Sequence, residues 1–273
     1  MNMTNYLTIR KLTIFSIIIF LLEFNASAQL DRYWDGGGGV DRDWNNPLNW
    51  DGNTLPLPTQ RVNCSGDTID VSGVSVAYCL NFNYVFLRIK EGGELKIGFG
   101  GAGSPDTTIS LINSLAYNFG KVKITGGGDP VNIHLKNSIW INGKASGDAD
   151  SLVIENFQIG GAYLSSIMVD STSAFTNLKT GVLKIKNHYG SLFENKNRII
   201  NNGTMFFENT YGKILNKDTL QNNGKIKFLT TSYNDPIINN GYFSNNDTLE
   251  FRHNNNTLIH NNGRFVNQNK GYI

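Results

Sequence analysis

Cysteine is nearly absent from this 273-residue chain, which holds only Cys64 and Cys79. That excludes a disulfide-dense scaffold and a cysteine-based zinc module, since both need sets of cysteines at short spacings. The four histidines, His134, His188, His253 and His260, are dispersed without metal-ligand spacing. Turn or surface positions account for them, and no metal or cofactor is expected. Charge is scarce too: 17% of residues are charged, the formal net charge is +2, and no basic stripe points to nucleic acid. After residue 28 there is no convincing amphipathic helix, which disfavours leucine-rich, ankyrin and tetratricopeptide repeats. No segment there is apolar enough to span a bilayer, and no nucleophile-elbow motif supports Ser-His-Asp chemistry.

What the chain does have begins at its N-terminus. Arg10 and Lys11 precede an apolar run from Leu12 to Leu22, and Ala26-Ser27-Ala28 then places small residues at alternate positions. This is the tripartite pattern of a cleavable secretory signal, with cleavage expected after Ala28. The run is shorter than the ~18 residues of a spanning helix, so residues 1–28 read as a signal peptide and the mature product as free of an integral membrane segment. Secretion or display at the cell surface is expected, with the periplasm as the other compartment.

The 29 glycines mark a chain rich in turn formers, and repeats are the first thing to seek in it. Asn201-Asn202-Gly203 recurs at Asn222-Asn223-Gly224, Asn239-Asn240-Gly241 and Asn261-Asn262-Gly263, with glycines 21, 17 and 22 residues apart. Each turn offers left-handed backbone conformations and leads into strand formers such as Met205-Phe206-Phe207 or Ile226-Lys227-Phe228. Leu95-Lys96-Ile97, Val122-Lys123-Ile124 and Leu183-Lys184-Ile185 alternate apolar and polar residues at the period of a half-buried strand, lysines outward.

Two all-β layouts fit: an antiparallel β-sandwich or a right-handed parallel β-helix whose coils stack about 4.8 Å apart. Recurrence at a coil's spacing favours the solenoid, in which stacked Asn amides form a ladder. Ten or eleven coils of ~20 residues would make a rod of roughly 50 Å. The four Asn-Asn-Gly turns are expected in one column, with the coils running over 62–273. The last coil reads as open or truncated, with Phe265, Val266, Tyr272 and Ile273 at its end, which suggests either a fragment or end-to-end association.

Residues 29–61 differ from the repeats. Tyr33-Trp34-Asp35, Asp43-Trp44-Asn45, Asn49-Trp50 and Leu55-Pro56-Leu57-Pro58 concentrate three of the four tryptophans and three of the six prolines there. With the Asn-Asn-Gly turns, this opening resembles a family of Gram-negative secreted and cell-surface proteins in which a Trp-rich segment introduces a parallel β-helix. The resemblance covers most of the mature chain and implies architecture more than activity. Members that leave by the type IX route commonly carry a separate C-terminal sorting domain, and none is read here. Trp34, Trp44 and Trp50 have two readings, a cap over the first coil or a glycan-stacking surface, and the cap is favoured because solenoid ends need covering.

For chemistry, Asp148, Asp150 and Asp170 are the candidate catalytic residues, because β-helix polysaccharide lyases and glycoside hydrolases use acidic groups from neighbouring coils. Asp150 and Asp170 are spaced like stacked positions, although Asp150-Ser151-Leu152 and Asp170-Ser171-Thr172 also read as turns entering strands. The same Asp-Ser/Thr pattern at Asp67, Asp106, Asp218 and Asp247 resembles an O-glycosylation acceptor, with a corner turn as the simpler reading. Gly98-Phe99-Gly100-Gly101-Ala102-Gly103 has dinucleotide-loop spacing, but a strand signal at Asp106-Thr107-Thr108-Ile109 follows where that motif needs a helix. Cys64 and Cys79 lie in neighbouring strand-like segments of an exported chain, so a disulfide between them is expected. The functional expectation is an adhesin-like surface protein contacting glycan, matrix or another surface protein. The alternative is a carbohydrate-active enzyme on the same fold.

Overall fold

The computed structural model describes residues 31–98, 107–126, 131–156, 165–186, 191–208, 210, 212–229, 236–252, 258–268 and 273. The expected signal peptide lies outside the described residues, as do Phe99–Gly103 of the glycine loop, His188, His253 and Tyr272.

Alternation of apolar and polar residues makes these segments strands with one buried face, and a β-helix is the arrangement that buries that face in every coil. The strand Gly181–Lys186 alternates buried and half-buried residues along its whole length. Such strands form a right-handed parallel β-helix of three sheets containing ten, nine and eight strands, and no antiparallel sandwich. The first coil is built from Arg61–Ser65, Thr68–Val71 and Val74–Ala77, one strand in each sheet. The last complete coil is Ile237–Asn239, Tyr242–Asn245 and Thr248–Phe251. A further Ile259–Asn261 and Arg264–Asn267 follow on the first and second sheets. Among the described residues no helix is long and apolar enough to cross a membrane. The expected strand after the glycine loop is present as Thr107–Ile112.

Register fixes the inside of the rod. Leu80, Ile109, Ile133, Ile167, Phe193, Ile214, Ile237 and Ile259 stack in one column of the first sheet. On the third sheet Phe207, Phe228 and Phe251 stack with centroids 4.9 and 5.0 Å apart. Outward lysines pair with carboxylates of neighbouring coils, as in Lys184–Glu208 at 3.0 Å and Lys227–Glu250 at 2.7 Å.

Coil length departs from the expected ~20 residues. It runs from 18 residues between the stacked Val62 and Leu80 to 35 between Trp140 and Phe175. Among the described residues the eight strands of the third sheet therefore set eight complete coils, against the expected ten or eleven. The ten-stranded first sheet spans about 43 Å at about 4.8 Å per step.

The Asn-Asn-Gly turns also fall differently, in two columns. Gly203 and Gly224 turn from the second sheet to the third, whereas Gly241 and Gly263 turn from the first to the second. The 17-residue spacing between Gly224 and Gly241 is thus a step from one corner to another. A Cβ on Gly241 would lie 2.1 Å from the carbonyl oxygen of Asp218, and one on Gly224 would lie 2.2 Å from that of Gly203. None of these four glycines has a positive φ. Glycine is required here by the backbone below, and left-handed geometry plays no part in these turns.

At the corner of the second and third sheets, six buried asparagines and an exposed seventh form one ladder. Asn118, Asn142, Asn177, Asn201, Asn222 and Asn245 each donate Nδ2–H to Oδ1 of the next, ending at Asn267, over 2.7–2.9 Å. A shorter ladder, Asn195 to Asn216 to Asn239 to Asn261, occupies the corner of the first and second sheets at 2.6–2.7 Å. Earlier at that corner, the hydroxyls of Ser114, Ser138 and Ser173 accept from the backbone N–H groups of Val85, Ser114 and Ser138. These columns satisfy corner groups that would otherwise be buried without partners.

The Trp-rich segment lies against the first coil. Arg32–Tyr33 pairs in parallel with Val62 and Asn63, and Trp44 N–H donates to the Asp70 carbonyl at 2.7 Å. Trp50 is fully buried, with Trp34 5.0 Å and Trp44 4.8 Å away in edge-on contact. Their polar ends are satisfied: Trp50 Nε1 donates to the Trp44 carbonyl and Trp34 Nε1 to Asp67, which also pairs with Arg42 at 2.8 Å. At the other end, Phe265 and Val266 are half-buried and Ile273 is exposed.

Candidate functional site

Of the three candidate aspartates, the structure brings two together and separates the third. Asp148 and Asp150 line a cavity of about 210 Å³ beside Glu91, Lys121 and Lys144. The cavity exists because the corner between Ile139–Asn142 and Asp150–Asn156 is long, with Gly143 and Gly147 at positive φ. Asp150 is only 3% exposed; one carboxylate oxygen accepts from Thr180 Oγ1 at 2.8 Å and the other faces Lys144 Nζ at 3.8 Å. Lys144 also reaches Glu91 at 3.3 Å. Thr180 Oγ1 accepts from the Lys144 backbone N–H at 2.6 Å, which ties the long corner to the coil above.

Asp170 sits elsewhere, at the corner of the first and second sheets, where it accepts from Ser171 N–H at 2.6 Å. Asp150 is stacked against Gly181, so the spacing between Asp150 and Asp170 does not reflect vertical neighbours. The expectation failed because a 20-residue step is shorter than the coil at that height, where Asp150 and the stacked Gly181 are 31 residues apart. Among the described residues no group of three His, Cys, Asp or Glu side chains converges as metal ligands. An acid–base pair must reach a substrate bond, and Asp150 is already held by a hydroxyl and an ammonium. Glu91, Lys144 and Thr180 were not singled out from sequence, since no motif marks residues that only the stacking unites.

The Asp-Ser/Thr pattern is accounted for by the corners. Thr219 and Thr248 begin strands and donate their hydroxyls to Asp218 and Asp247 at 2.9 Å, while Thr68 N–H donates to Asp67. Trp34, Trp44 and Trp50 are buried, so their ring faces are not offered to a sugar.

The expected disulfide is not formed, and Cys64 and Cys79 are both buried thiols. Register places Arg61 opposite Cys79 and Cys64 opposite Phe82, three positions apart along the strand. That is about 10 Å, beyond the roughly 7 Å a bridge tolerates. Cys64 faces the core, whereas Cys79 shares the outward side with Arg61, whose guanidinium hydrogen-bonds to it. Burial, with the nearby Asp67 charge, pushes the Cys64 thiol up to about 12.

His134 lies half-buried on the outer face of the first sheet. Burial pushes its imidazole below the ordinary range, and Lys136 adds to this. Elsewhere the outward charges form pairs. Asp70 is pushed up by burial, but hydrogen bonds from Arg88 and Lys90 and their charges outweigh this and hold it low.

One surface feature has no such internal explanation. At the corner of the first and second sheets, Tyr84, Val85, Phe86, Asn113, Ser114, Leu115, Asn137 and Ile139 line an open groove of about 500 Å³, with Val85 and Ser114 buried beneath it. Tyr84 is 63% exposed and Ile139 is exposed as well. Phe86 stands edge-on to Tyr117 at 5.5 Å, and Tyr117 lies 5.4 Å from Phe119, which extends the aromatic surface across the sheet. Sequence reading missed this groove because its residues come from three coils of unequal length. No family model matches the chain, and no curated protein or solved structure matches it.

Proposed function

We propose that the protein is an exported, adhesin-like solenoid that binds a partner laterally, through the outer face of its coil stack, and that it works at the cell surface or after secretion. One observation carries the reading: exposed Tyr84 and Ile139 and the half-buried Phe86, Tyr117 and Phe119 form an aromatic and aliphatic patch on the side of the rod. Outward-facing aromatic and aliphatic side chains in a contiguous patch are a feature of binding surfaces. The ladders behind it make the face rigid, so little ordering cost accompanies binding. Export rests on the charged, apolar and small-residue succession at the N-terminus.

Two measurements test this. The N-terminal residue of protein recovered from outside the cytoplasm of a Gram-negative host should be Gln29, and retention of the intact N-terminus in the cytoplasm would overturn export. Immobilised polysaccharides, matrix glycoproteins and whole cells should include a surface that retains the purified protein, and retention on none would overturn the binding reading.

A second reading, a carbohydrate-active enzyme, is favoured by the cavity that holds Glu91, Asp148 and Asp150 around Lys144. Release of reducing or unsaturated sugar ends that disappears in Asp150→Asn would support it.

A further inference from the structure

We propose that the groove at Tyr84 is a binding subsite for a neutral saccharide chain. This rests on the lateral-binding reading and names its site and ligand class. The first observation is conformational. Tyr84, Asn113 and Asn137 stack in one corner column, and all three adopt left-handed backbone geometry, with φ of +54°, +50° and +46°. Asparagine tolerates that region because its short side chain bonds locally, whereas a bulky aromatic residue rarely occupies it. The next two coils use asparagine at this corner, so the fold does not need tyrosine there. Nor does packing explain it, since 63% of Tyr84 is exposed. Strain of this kind, held without a structural return, points to a functional demand on the side chain.

The second observation is the chemistry around that ring. Phe86, Leu115 and Ile139 supply apolar surface, and Asn113 and Asn137 supply amides at the same groove. Asn137 Nδ2 donates to Asn113 Oδ1 at 2.8 Å, and Asn113 Nδ2 donates to Asn83 Oδ1 at 3.3 Å. Each amide has two N–H donors and two lone pairs, so this chain of bonds leaves each with capacity facing outward. Aromatic faces receive the C–H side of a sugar ring, and amides bind its hydroxyls.

The third observation concerns charge. None of the residues lining the groove has an acidic or basic side chain; Arg88, 5.8 Å over the Phe86 ring, is paired with Asp70 at 2.7 Å, and exposed Lys136 immediately precedes Asn137. A lining without acidic or basic side chains is complementary to an uncharged ligand. The amides recur at the coil rise of about 4.8 Å, on the scale of one sugar ring, so an extended chain can meet equivalent groups along the rod.

The test uses the purified protein with neutral hexaoses of glucose, mannose and N-acetylglucosamine, read by titration calorimetry and saturation-transfer NMR. At least one should bind, and Tyr84→Asn, which installs the residue used by the next two coils, should weaken it at least tenfold while leaving the melting temperature unchanged or higher. Phe86→Ala should weaken the same ligand. Binding to none of the sugars, or binding unaffected by Tyr84→Asn, overturns the assignment, as does a loss of binding that merely follows a lower melting temperature. If the Tyr84→Asn, Phe86→Ala double variant still adheres to the surfaces that retain the wild type, this subsite fails while lateral binding stands. If the wild type adheres to nothing, both fail.

Discussion

Asn177 accepts a side-chain hydrogen bond from Asn142 and donates one to Asn201, each 2.8 Å long, so it links three consecutive coils inside the rod. Its amide is fully buried. Asn177→Ala removes both ladder bonds, together with the donations of Asn177 Nδ2 to the Gly181 and Thr204 carbonyls, and leaves a donor on Asn142 and an acceptor on Asn201 without partners. At about 1–3 kcal/mol for each of these two orphaned amide groups, the loss should be about 2–6 kcal/mol in urea unfolding. Asn267, exposed at the end of the same ladder, should cost far less when replaced by Ala. Equal losses at the two positions would show that the ladder does not derive its strength from burial.

The thiols give a second expectation. With Cys64 buried and its thiol pushed up to about 12, almost no thiolate is present at pH 8 to attack an alkylating reagent. Native protein should leave Cys64 unmodified at pH 8. Unreduced, denatured protein should titrate two thiols, and reductant should leave the melting temperature unchanged. A single mixed population with no reactive thiol after denaturation would restore the disulfide.

Stability should fall with acidity in two separate windows. Burial lowers His134 from its ordinary 6.5, assisted by Lys136 and Lys196 and opposed by Asp170 and Glu194. The unfolded chain then takes up this proton before the folded one does, so stability is intact above about pH 7 and declines as pH falls through 6.5. His134→Gln should flatten the profile between about pH 7 and pH 5.

The second window belongs to carboxylates held below their ordinary values: Asp70, Glu194, Glu208 and Glu250. Lys184 is the main cause at Glu208 and Lys227 at Glu250, whereas burial opposes the lysine and arginine contacts at Glu194 and Asp70. Their contribution is present above about pH 5 and is lost as pH falls through about 4 and below. Thermal melts across pH 3 to 8 read both windows, and raised salt should shrink the share of the half-buried Glu208 and Glu250 pairs.

The N-terminal tryptophans supply a further expectation. Trp50 is fully enclosed between Trp34 and Trp44, so Trp50→Ala should cost about 3–5 kcal/mol. Because a solenoid's coils depend mainly on their neighbours, the loss should appear first as faster hydrogen exchange in Arg61–Ser65 and Thr68–Val71. Uniform acceleration along the whole rod would argue against a local cap.

The fold class was legible because alternation in segments such as Leu183-Lys184-Ile185 and the repeated Asn-Asn-Gly turns carry the physics of a stacked coil directly. Coil boundaries were not, since corners such as Gly143–Ala149 absorb insertions without disturbing the register of the strands on either side. The glycine spacings held the clue to two columns in the 17-residue step, but a corner-to-corner step and a shortened coil look alike in one dimension. Asp150 and Asp170 were misjudged for the same reason. Tyr84 carried no sequence signal, because only the stacked geometry shows that it stands where the next two coils place Asn113 and Asn137 in left-handed conformation.

The lateral groove and the corner cavity can be told apart in one measurement, hydrogen–deuterium exchange of the purified protein with and without a saturating neutral hexaose that it binds. Protection confined to residues 84–86, 113–117 and 137–141 is the result expected of binding at the Tyr84 groove, along the corner of the first and second sheets. Protection centred on Glu91, Lys144 and residues 148–150, with the Tyr84 corner unchanged, would contradict it.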